Sequence, residues 1–360
     1  MDADSHSTDD IRTHVRTLQE DYIMNLPDRL ALSFYTTIAP LCKSHDIYLV
    51  RHQETGKLFV KKIIDIYSPD IYEYLRYHPI QGVPRIIASC EEDGRLTIIE
   101  EYISGCTLRD KIEATKEASR IYRLARSGQT DAAASKAIPE TYEAAGSKAA
   151  WPPYELPDDC LTVSLIGRYM IQLCEILERL HSLAPPMIHR DIKPSNIMIT
   201  AHHNVVLMDF NAARYYSGSA ERESDTRLLG THGYAAPEQY GFRESMPQTD
   251  LYSVGRILQE AVDSLPSEDH TFDAVIAKCT QMDPSRRYAS AGALKAAIRK
   301  NLARYHRMDS SDPAANPHLP PGYGTRGFLL LRTPGPALMN AFVAVILFIL
   351  FILLIFIVGV

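Results

Sequence analysis

The sequence lacks several features that would place it in common protein classes. Its six cysteines include no Cys-X-X-Cys pair and no Cys/His spacing of a zinc site, which argues against structural zinc and against a disulfide scaffold. The formal net charge of −6, with both signs interspersed, provides no basic surface, so no nucleic acid is expected as a partner. No apolar run in residues 1–30 resembles a signal peptide, and this segment is predicted to be a cytosolic extension.

What is present is enough for one sizeable domain with extensions. The chain has 360 residues, of which 46% are hydrophobic, and its first part is predicted to be rich in strands. Residues 47–64, with a turn at Gly56, and residues 86–99, with a turn at Gly94, alternate in polarity as β-hairpins do. The later part carries helical periodicity, at residues 165–181 and at about 249–264, 270–282 and 290–303. An α+β domain is therefore expected.

The C-terminal part of the chain changes in composition twice. Residues 304–336 are rich in Pro, Gly, Asp and Ser and are predicted to form a linker. Residues 338–360 are almost entirely apolar and carry no charge, and a helix of this length spans a bilayer. Arg326 and Arg332 precede it, so the positive-inside rule predicts a single span with the domain in the cytoplasm.

A stretch of residues at 115–160, rich in Ala, Ser and Lys, interrupts the helical part. Two interpretations stay open. The segment is either a solvated helical excursion or a docking site for a partner protein.

Three polar residues carry the chemical signal of the chain. Asp191 is followed by Asn196, and Asp209 comes directly after the apolar run 205–208. This arrangement suits phosphoryl transfer, in which one carboxylate serves the attacking hydroxyl while an amide and a second carboxylate hold Mg²⁺. The candidate catalytic residues are Asp191, Lys193 and Asn196, and the candidate metal ligands are Asn196 and Asp209.

Around these residues the chain resembles the eukaryotic-type protein kinases, in the form found in bacteria. The resemblance covers residues 35–303, within a predicted kinase domain at 31–303, and rests on the segments 189–196, 209–211 and 236–238 in their usual order. It implies a two-lobed fold, with a small strand-rich lobe and a large helical lobe. It also implies transfer of phosphate from Mg-ATP, with Mn²⁺ as a possible substitute, to protein substrates. Lys193 resembles the choice of serine/threonine kinases.

The resemblance also implies a lysine on a strand that contacts ATP, and two candidates are adjacent. Strand alternation puts Val60 on the same face as Lys62, which favours Lys62 over Lys61. Glu73, on a short helix predicted at residues 70–76, is the expected ion-pair partner of the lysine.

The hinge of the family corresponds to residues 101–103, where the backbone of Glu101 and Ile103 would read the adenine edge. This alignment puts Glu100 at the gatekeeper position, a polar choice that the sequence does not explain.

Further matches to the family concern the scaffold of the large lobe. The catalytic loop of the family corresponds to residues 189–196. Thr231 is expected to contact this loop, Asp250 to brace it from below, and Glu238 to pair with Arg287. A phosphate at Ser224 or Thr226 would recruit Arg190 and order the activation segment, which lies between Asp209 and Gly230. A homodimer that phosphorylates itself in trans is a further possible partner arrangement.

Two positions depart from the family pattern. Residues 41–50 contain no glycine where the family has a glycine-rich loop over the phosphates, which favours weaker nucleotide binding or a pseudokinase scaffold. Lys43 or His45 would have to donate from their side chains instead. Asn211 replaces a glycine and is expected to tolerate a positive φ there. A small-molecule phosphotransferase of the aminoglycoside type is a third alternative, disfavoured by the segment 230–238.

Overall fold

The structure is a computed structural model that describes residues 28–42, 45–127, 160–218, 231–240 and 244–311. The described residues up to His306 belong to one compact unit, and residues 307–311 are assigned to a second. The predicted membrane-spanning helix, 338–360, lies outside the described residues. So do Lys43, Ser224, Thr226 and most of the predicted insertion and linker. Within the described ranges, no helix is long and apolar enough to cross a bilayer.

A five-stranded antiparallel sheet forms the first part of the fold, with the strand order β1-β2-β3-β5-β4. Its hairpins turn at Gly56 (φ 68°) and Gly94 (φ 74°), where a side chain would strain the backbone, so both predicted hairpins are confirmed. The strands are β1 (Tyr35–Pro40), β2 (Ile47–His52), β3 (Leu58–Ile64), β4 (Ile86–Glu92) and β5 (Arg95–Glu101).

The two faces of this sheet serve different purposes. Phe59 and Ile99 lie on one face, in a small apolar cluster with the aromatic ring of Tyr35. Ile64 and Ile98 lie on the other face and join the main core. Because side chains alternate along a strand, Lys62, two residues before Ile64, shares the core-facing side of the sheet.

Two short helices, α1 (Asp28–Ser33) and α2 (Pro69–Tyr77), pack against β4 of this sheet. Pro69 begins α2 because the first helical position needs no backbone donor. Ile71, Tyr72, Leu75 and Arg76 are its buried residues, at the spacing of one helical face. The predicted helix at residues 70–76 is therefore confirmed.

Helices dominate the second part of the fold, as the sequence predicts. The longest buried stripe belongs to α4, where Met170, Leu173 and Leu177 are almost fully buried. Each such side chain contributes about 1.5–3 kcal/mol when removed from water. The helix begins after Thr162, whose side chain accepts from the Leu165 amide at 3.2 Å. The helices are α3 (Leu108–Ser127), α4 (Val163–His181), α5 (Pro247–Asp263), α6 (Asp273–Cys279) and α7 (Ala291–Ser311).

Some boundaries differ from the predicted ones. Helix α6 is shorter than the predicted 270–282 at both ends, and the short helical turn Pro284–Arg286 follows it. Helix α3 continues into the predicted insertion, where Ser119 is buried and donates to the Ser264 carbonyl at 2.7 Å. Helix α7 runs past residue 303, where the linker was expected to begin.

Short strands connect the two parts and position the polar residues identified in the sequence. A three-stranded sheet has the order β6-β8-β9, and a two-stranded ladder pairs β10 with β7. Residues 189–196 run from β7 to β8, and Asp209 follows β9 almost at once. The strands are β6 (Gly105–Thr107), β7 (Met187–Ile188), β8 (Ile197–Thr200), β9 (Val205–Leu207) and β10 (Arg214–Tyr215).

Candidate active site

A buried carboxylate holds the start of the catalytic loop. Asp250, at the beginning of α5, accepts the backbone amides of His189 at 3.0 Å and Arg190 at 2.9 Å, and a third bond from His181 at 2.8 Å. Burial alone would raise the pKa of Asp250, but the hydrogen bond and charge of His181 hold it below its ordinary value. The predicted bracing role of Asp250 is confirmed.

Asp191 lies at the centre of a network of donors. Lys193 Nζ donates to its carboxylate at 2.8 Å, Thr231 Oγ1 at 2.8 Å and Asn196 Nδ2 at 3.3 Å. Burial would raise the pKa of Asp191, but the hydrogen bond from Lys193, its charge, and the bond from Thr231 lower it. The carboxylate is therefore ionised and oriented, as an acceptor for a hydroxyl proton must be. The predicted contact of Thr231 with the catalytic loop is confirmed.

Asp209 and Asn196 lie next to each other through their backbones, because the Met208 amide donates to the Asn196 carbonyl at 2.8 Å. Asp209 has a φ of 67°, a conformation that a side-chain-bearing residue adopts rarely and mostly at functional sites. Its Oδ1 is buried and has no hydrogen-bond partner among the described residues. A buried oxygen of this kind calls for a ligand, and the described residues do not supply one.

These oxygens fit a hard cation. The bonds that Asn196 makes to Asp191 use only its amide nitrogen, so its side-chain oxygen is left to accept. Mg²⁺ is held in proteins by one or two such oxygen ligands together with substrate phosphates and water. Among the described residues no group of three or more His, Cys, Asp or Glu side chains forms a metal site of its own. Asp209 and Asn196 would therefore hold Mg²⁺ jointly with a nucleotide.

The two lysines of β3 have different environments. Lys62 is buried and its Nζ lies 2.6 Å from Glu100 Oε1. Burial alone would lower the pKa of Lys62, but the charges of Glu100 and Asp209 and the hydrogen bond to Glu100 raise it. Lys61 is half-buried on the opposite face of the strand. The structure therefore brings Lys62, and not Lys61, together with Asp209.

The prediction that Glu73 is the partner of Lys62 does not hold. Glu73 is exposed, because the buried face of α2 is formed by its neighbours on the helix. Tyr72 occupies the inward position instead and donates its hydroxyl to Asn211 Oδ1. Burial, and then the charges of Asp209 and Glu100, raise the pKa of Tyr72 well above its ordinary value, so the hydroxyl remains a donor.

Sequence reasoning missed both Tyr72 and Glu100 as members of this site. The signal for Tyr72 was the apolar spacing of Ile71 and Leu75, which turns residue 72 inward and residue 73 outward. The signal for Glu100 was a carboxylate directly after the apolar pair Ile98 and Ile99 on a strand, which requires a partner when buried.

The other nucleotide-site candidates lie at the edge of β5. The Glu101 amide donates to the Arg85 carbonyl at 2.9 Å and is therefore engaged within the protein. Ile103 makes no backbone–backbone hydrogen bond within the described ranges.

His45 contacts Cys42 Sγ at 3.5 Å in the loop between β1 and β2. Asn211 is not among the positive-φ residues of the described chain, contrary to expectation, and the positive φ is found at Asp209.

A buried ion pair anchors the segment that follows Thr231. Arg287 donates to Glu238 through both terminal nitrogens, at 2.7 and 2.8 Å, and the two side chains are 0% and 2% exposed. Thr249 donates to the same carboxylate at 2.8 Å. The predicted Glu238–Arg287 pair is confirmed, and it ties the segment to helix α5.

Comparison with known proteins points to the same chemistry. The family model described as the protein kinase domain matches residues 154–275. This segment is homologous to protein kinases. It contains Asp191, Asn196, Asp209 and Glu238.

Several curated kinases are similar over part of the chain. A probable serine/threonine-protein kinase PknB of Corynebacterium glutamicum is 36% identical over 130 residues, which are 36% of this chain and 20% of that protein. A probable LRR receptor-like serine/threonine-protein kinase of Arabidopsis thaliana is 35% identical over 100 residues, 28% of this chain and 11% of the relative. PTI1-like tyrosine-protein kinase 1 of the same plant is 38% identical over 96 residues, 26% of this chain and 27% of the relative. The chain thus spans between about a tenth and a quarter of these relatives.

Proposed function

We propose that the protein transfers the γ-phosphoryl group of Mg-ATP to Ser or Thr hydroxyls of protein substrates. The observation that carries the proposal is a pair of carboxylates: Asp191 accepts from Lys193 and Thr231, and Asp209 has a buried oxygen without a hydrogen-bond partner among the described residues. Phosphoryl transfer depends on positioning and charge stabilisation, which such a pair supplies.

In this proposal each residue has one role. Asp191 accepts the proton of the substrate hydroxyl, and Lys193, bonded to it, stabilises charge on the transferred group. Asp209 and Asn196 would hold Mg²⁺, or Mn²⁺ in its place, which would supply positive charge next to the phosphates. Lys62 contacts the phosphates.

A protein substrate, and a Ser or Thr acceptor, are supported by the large lobe. Thr231 bridges Asp191 and Lys193, at 2.8 and 3.0 Å, and thereby joins the segment 230–238, which would dock a protein substrate, to the catalytic loop. A small-molecule phosphotransferase has no need of that segment. Lys193 itself supports Ser/Thr specificity, as does the similarity to kinases whose names carry that specificity.

We further propose that the kinase is tethered to the cell membrane by the helix predicted at residues 338–360, with its catalytic domain in the cytoplasm. The uncharged apolar composition of this segment and the two preceding arginines support the proposal. Regulation by phosphorylation at Ser224 or Thr226, in trans within a homodimer, belongs to the same proposal.

A second candidate is a nucleotide-binding pseudokinase that acts as a scaffold. The observation in its favour is the absence of glycine from residues 41–50, since glycines let backbone amides approach the phosphates closely. A weakly held nucleotide would bind without being turned over efficiently.

Phosphate incorporation into a generic protein acceptor separates the two candidates. The full chain in detergent, with Mg-ATP, is expected to label the acceptor, whereas Asp191→Asn and Asp209→Asn are expected to lose this activity by about 100-fold or more. The Asp191→Asn protein should still bind nucleotide, which controls for folding. Labelling at the same low level in all three proteins would favour the scaffold and contradict the enzyme.

A further inference from the structure

The buried pair of Lys62 and Glu100 is formed by two neighbouring strands of one sheet. In the register of β3 and β5, Lys62 lies opposite Ile98 and Val60 lies opposite Glu100. Lys62 and Glu100 are therefore diagonal neighbours on the same face, a geometry that long side chains bridge easily. Their charged atoms are 2.6 Å apart and their side chains are only 11% and 9% exposed.

No carboxylate of helix α2 competes for this lysine. Glu73 is exposed, and Asp70 lies in the exposed first turn of the helix. The charged groups that act on Lys62 are Glu100 and Asp209, and the same two carboxylates act on the hydroxyl of Tyr72.

We propose that Glu100 is the positioning residue that holds the Lys62 ammonium for the nucleotide phosphates, in the role that the sequence assigned to Glu73. The proposal rests on the proposed function, because it assigns Lys62 to the nucleotide. Glu100 acts through Lys62 and does not itself contact the reacting atoms.

Because Glu100 comes from the same sheet as Lys62, the position of the lysine does not depend on helix α2. When both partners belong to one sheet, the ladder of backbone hydrogen bonds fixes their separation, and movement of α2 leaves the pair intact. Helix α2 is instead attached to the loop after Asp209, through Tyr72 to Asn211 and through Ser68 Oγ to the Ala213 carbonyl at 3.2 Å. The lysine is thus set independently of the helix, and the helix acts on the metal-binding loop.

The test compares Glu100→Gln with its matched control Glu73→Gln in the full chain in detergent. Glu100→Gln is expected to lower kcat/KM for Mg-ATP by about 100-fold, as misplacement of a positioning group does, whereas Glu73→Gln changes it less than about twofold. Equal values for the two variants, or a larger loss in Glu73→Gln, would overturn the proposal.

A second readout does not require turnover. Acetylation of Lys62 by an amine-reactive reagent, quantified by mass spectrometry across a pH series, reports its protonation, with the adjacent Lys61 as internal reference. Glu100→Gln removes one of the two negative charges that raise the pKa of Lys62, so its labelling should begin at lower pH while that of Lys61 stays unchanged. An unchanged pH dependence of Lys62 acetylation would contradict the assignment of Glu100 as its partner.

The two readouts separate the possible failures. If the wild-type chain incorporates no phosphate, the proposed function fails, and the labelling shift alone decides whether Glu100 holds Lys62. Should Glu100→Gln not fold, Glu100→Asp keeps the charge on a shorter side chain and is expected to lower kcat/KM by about tenfold. No loss in that variant would count against the proposal.

Discussion

The two halves of the candidate site differ in how closely they follow the kinase pattern. On the large-lobe side, Asp250 and Thr231 make the contacts with the catalytic loop that their sequence positions predict. On the small-lobe side, the glycines are missing and the expected carboxylate, Glu73, points to solvent while Glu100 replaces it.

The contrast shows that the groups of the catalytic loop can pair in only one way, whereas the lysine of β3 can be held by carboxylates from different elements. The catalytic loop is a short, buried stretch whose amides and carboxylates must pair with each other, so a substitution leaves an unsatisfied group. A lysine on a strand needs only a nearby negative charge, and any element that faces it can supply that charge. The small lobe therefore tolerates rearrangement that the large lobe does not.

The largest effect is expected where the large lobe is most tightly constrained. Glu238→Gln leaves Arg287 buried without its counter-charge, which should lower the free energy of unfolding by about 3–5 kcal/mol. The matched control is Glu117→Gln, which removes the exposed partner of Arg120 and should leave the melting temperature unchanged. Thermal unfolding of both variants measures the difference. Similar melting temperatures of Glu238→Gln and Glu117→Gln would contradict the tighter constraint on the large lobe.

The next effect concerns the choice between the two lysines of β3. Lys62→Met should weaken Mg-ATP binding by about 10- to 100-fold, since a hydrogen bond to a charged group contributes about 1.5–3 kcal/mol. Lys61→Met, on the opposite face, should leave the dissociation constant unchanged. Isothermal titration calorimetry with Mg-ATP measures the dissociation constants of both variants. A greater loss in Lys61→Met would reverse the assignment.

A smaller effect is expected at helix α2. Tyr72→Phe removes only the hydroxyl that donates to Asn211, so the Asp209 loop is held less firmly. One hydrogen bond contributes about 0.5–1.5 kcal/mol, and the Mg²⁺ concentration for half-maximal activity should rise by up to about tenfold. Tyr77→Phe, on the exposed side of the same helix, is the control. An equal Mg²⁺ requirement in both variants would remove the proposed link from α2 to the metal loop.

The smallest effect is a change in pH dependence. The donors around Asp191 lower its pKa, so its ionised form persists below the ordinary range and is lost only as pH falls through that lowered value. Thr231→Val removes one donor, and the acid limb of kcat/KM should therefore move to higher pH. Thr97→Val, on β5, serves as the control. A limb that stays in place, or moves to lower pH, would contradict the role of Thr231.

Much of the fold was predictable because its signals are local. Gly56 and Gly94 mark the hairpins, and the apolar period of residues 165–181 marks helix α4. The contacts of Asp191 were also predictable, since its partners Lys193 and Asn196 lie on the same short loop.

What sequence reasoning missed depends on rotation and register. A shift of one residue on α2 turns the helix by 100°, which exchanges Tyr72 for Glu73 on the inner face. The Lys62–Glu100 contact depends on the register between β3 and β5, which no turn between them fixes, because α2 and β4 intervene along the chain. Long-range pairings of this kind cannot be read from local pattern alone.

A crystal structure of the full chain with Mg²⁺ and a non-hydrolysable ATP analogue tests the account most directly. The account predicts the metal bound by Asp209 and Asn196, with the Lys62 ammonium bridging Glu100 and the phosphates. A metal bound elsewhere, or Lys62 paired with Glu73 in the nucleotide complex, would contradict it.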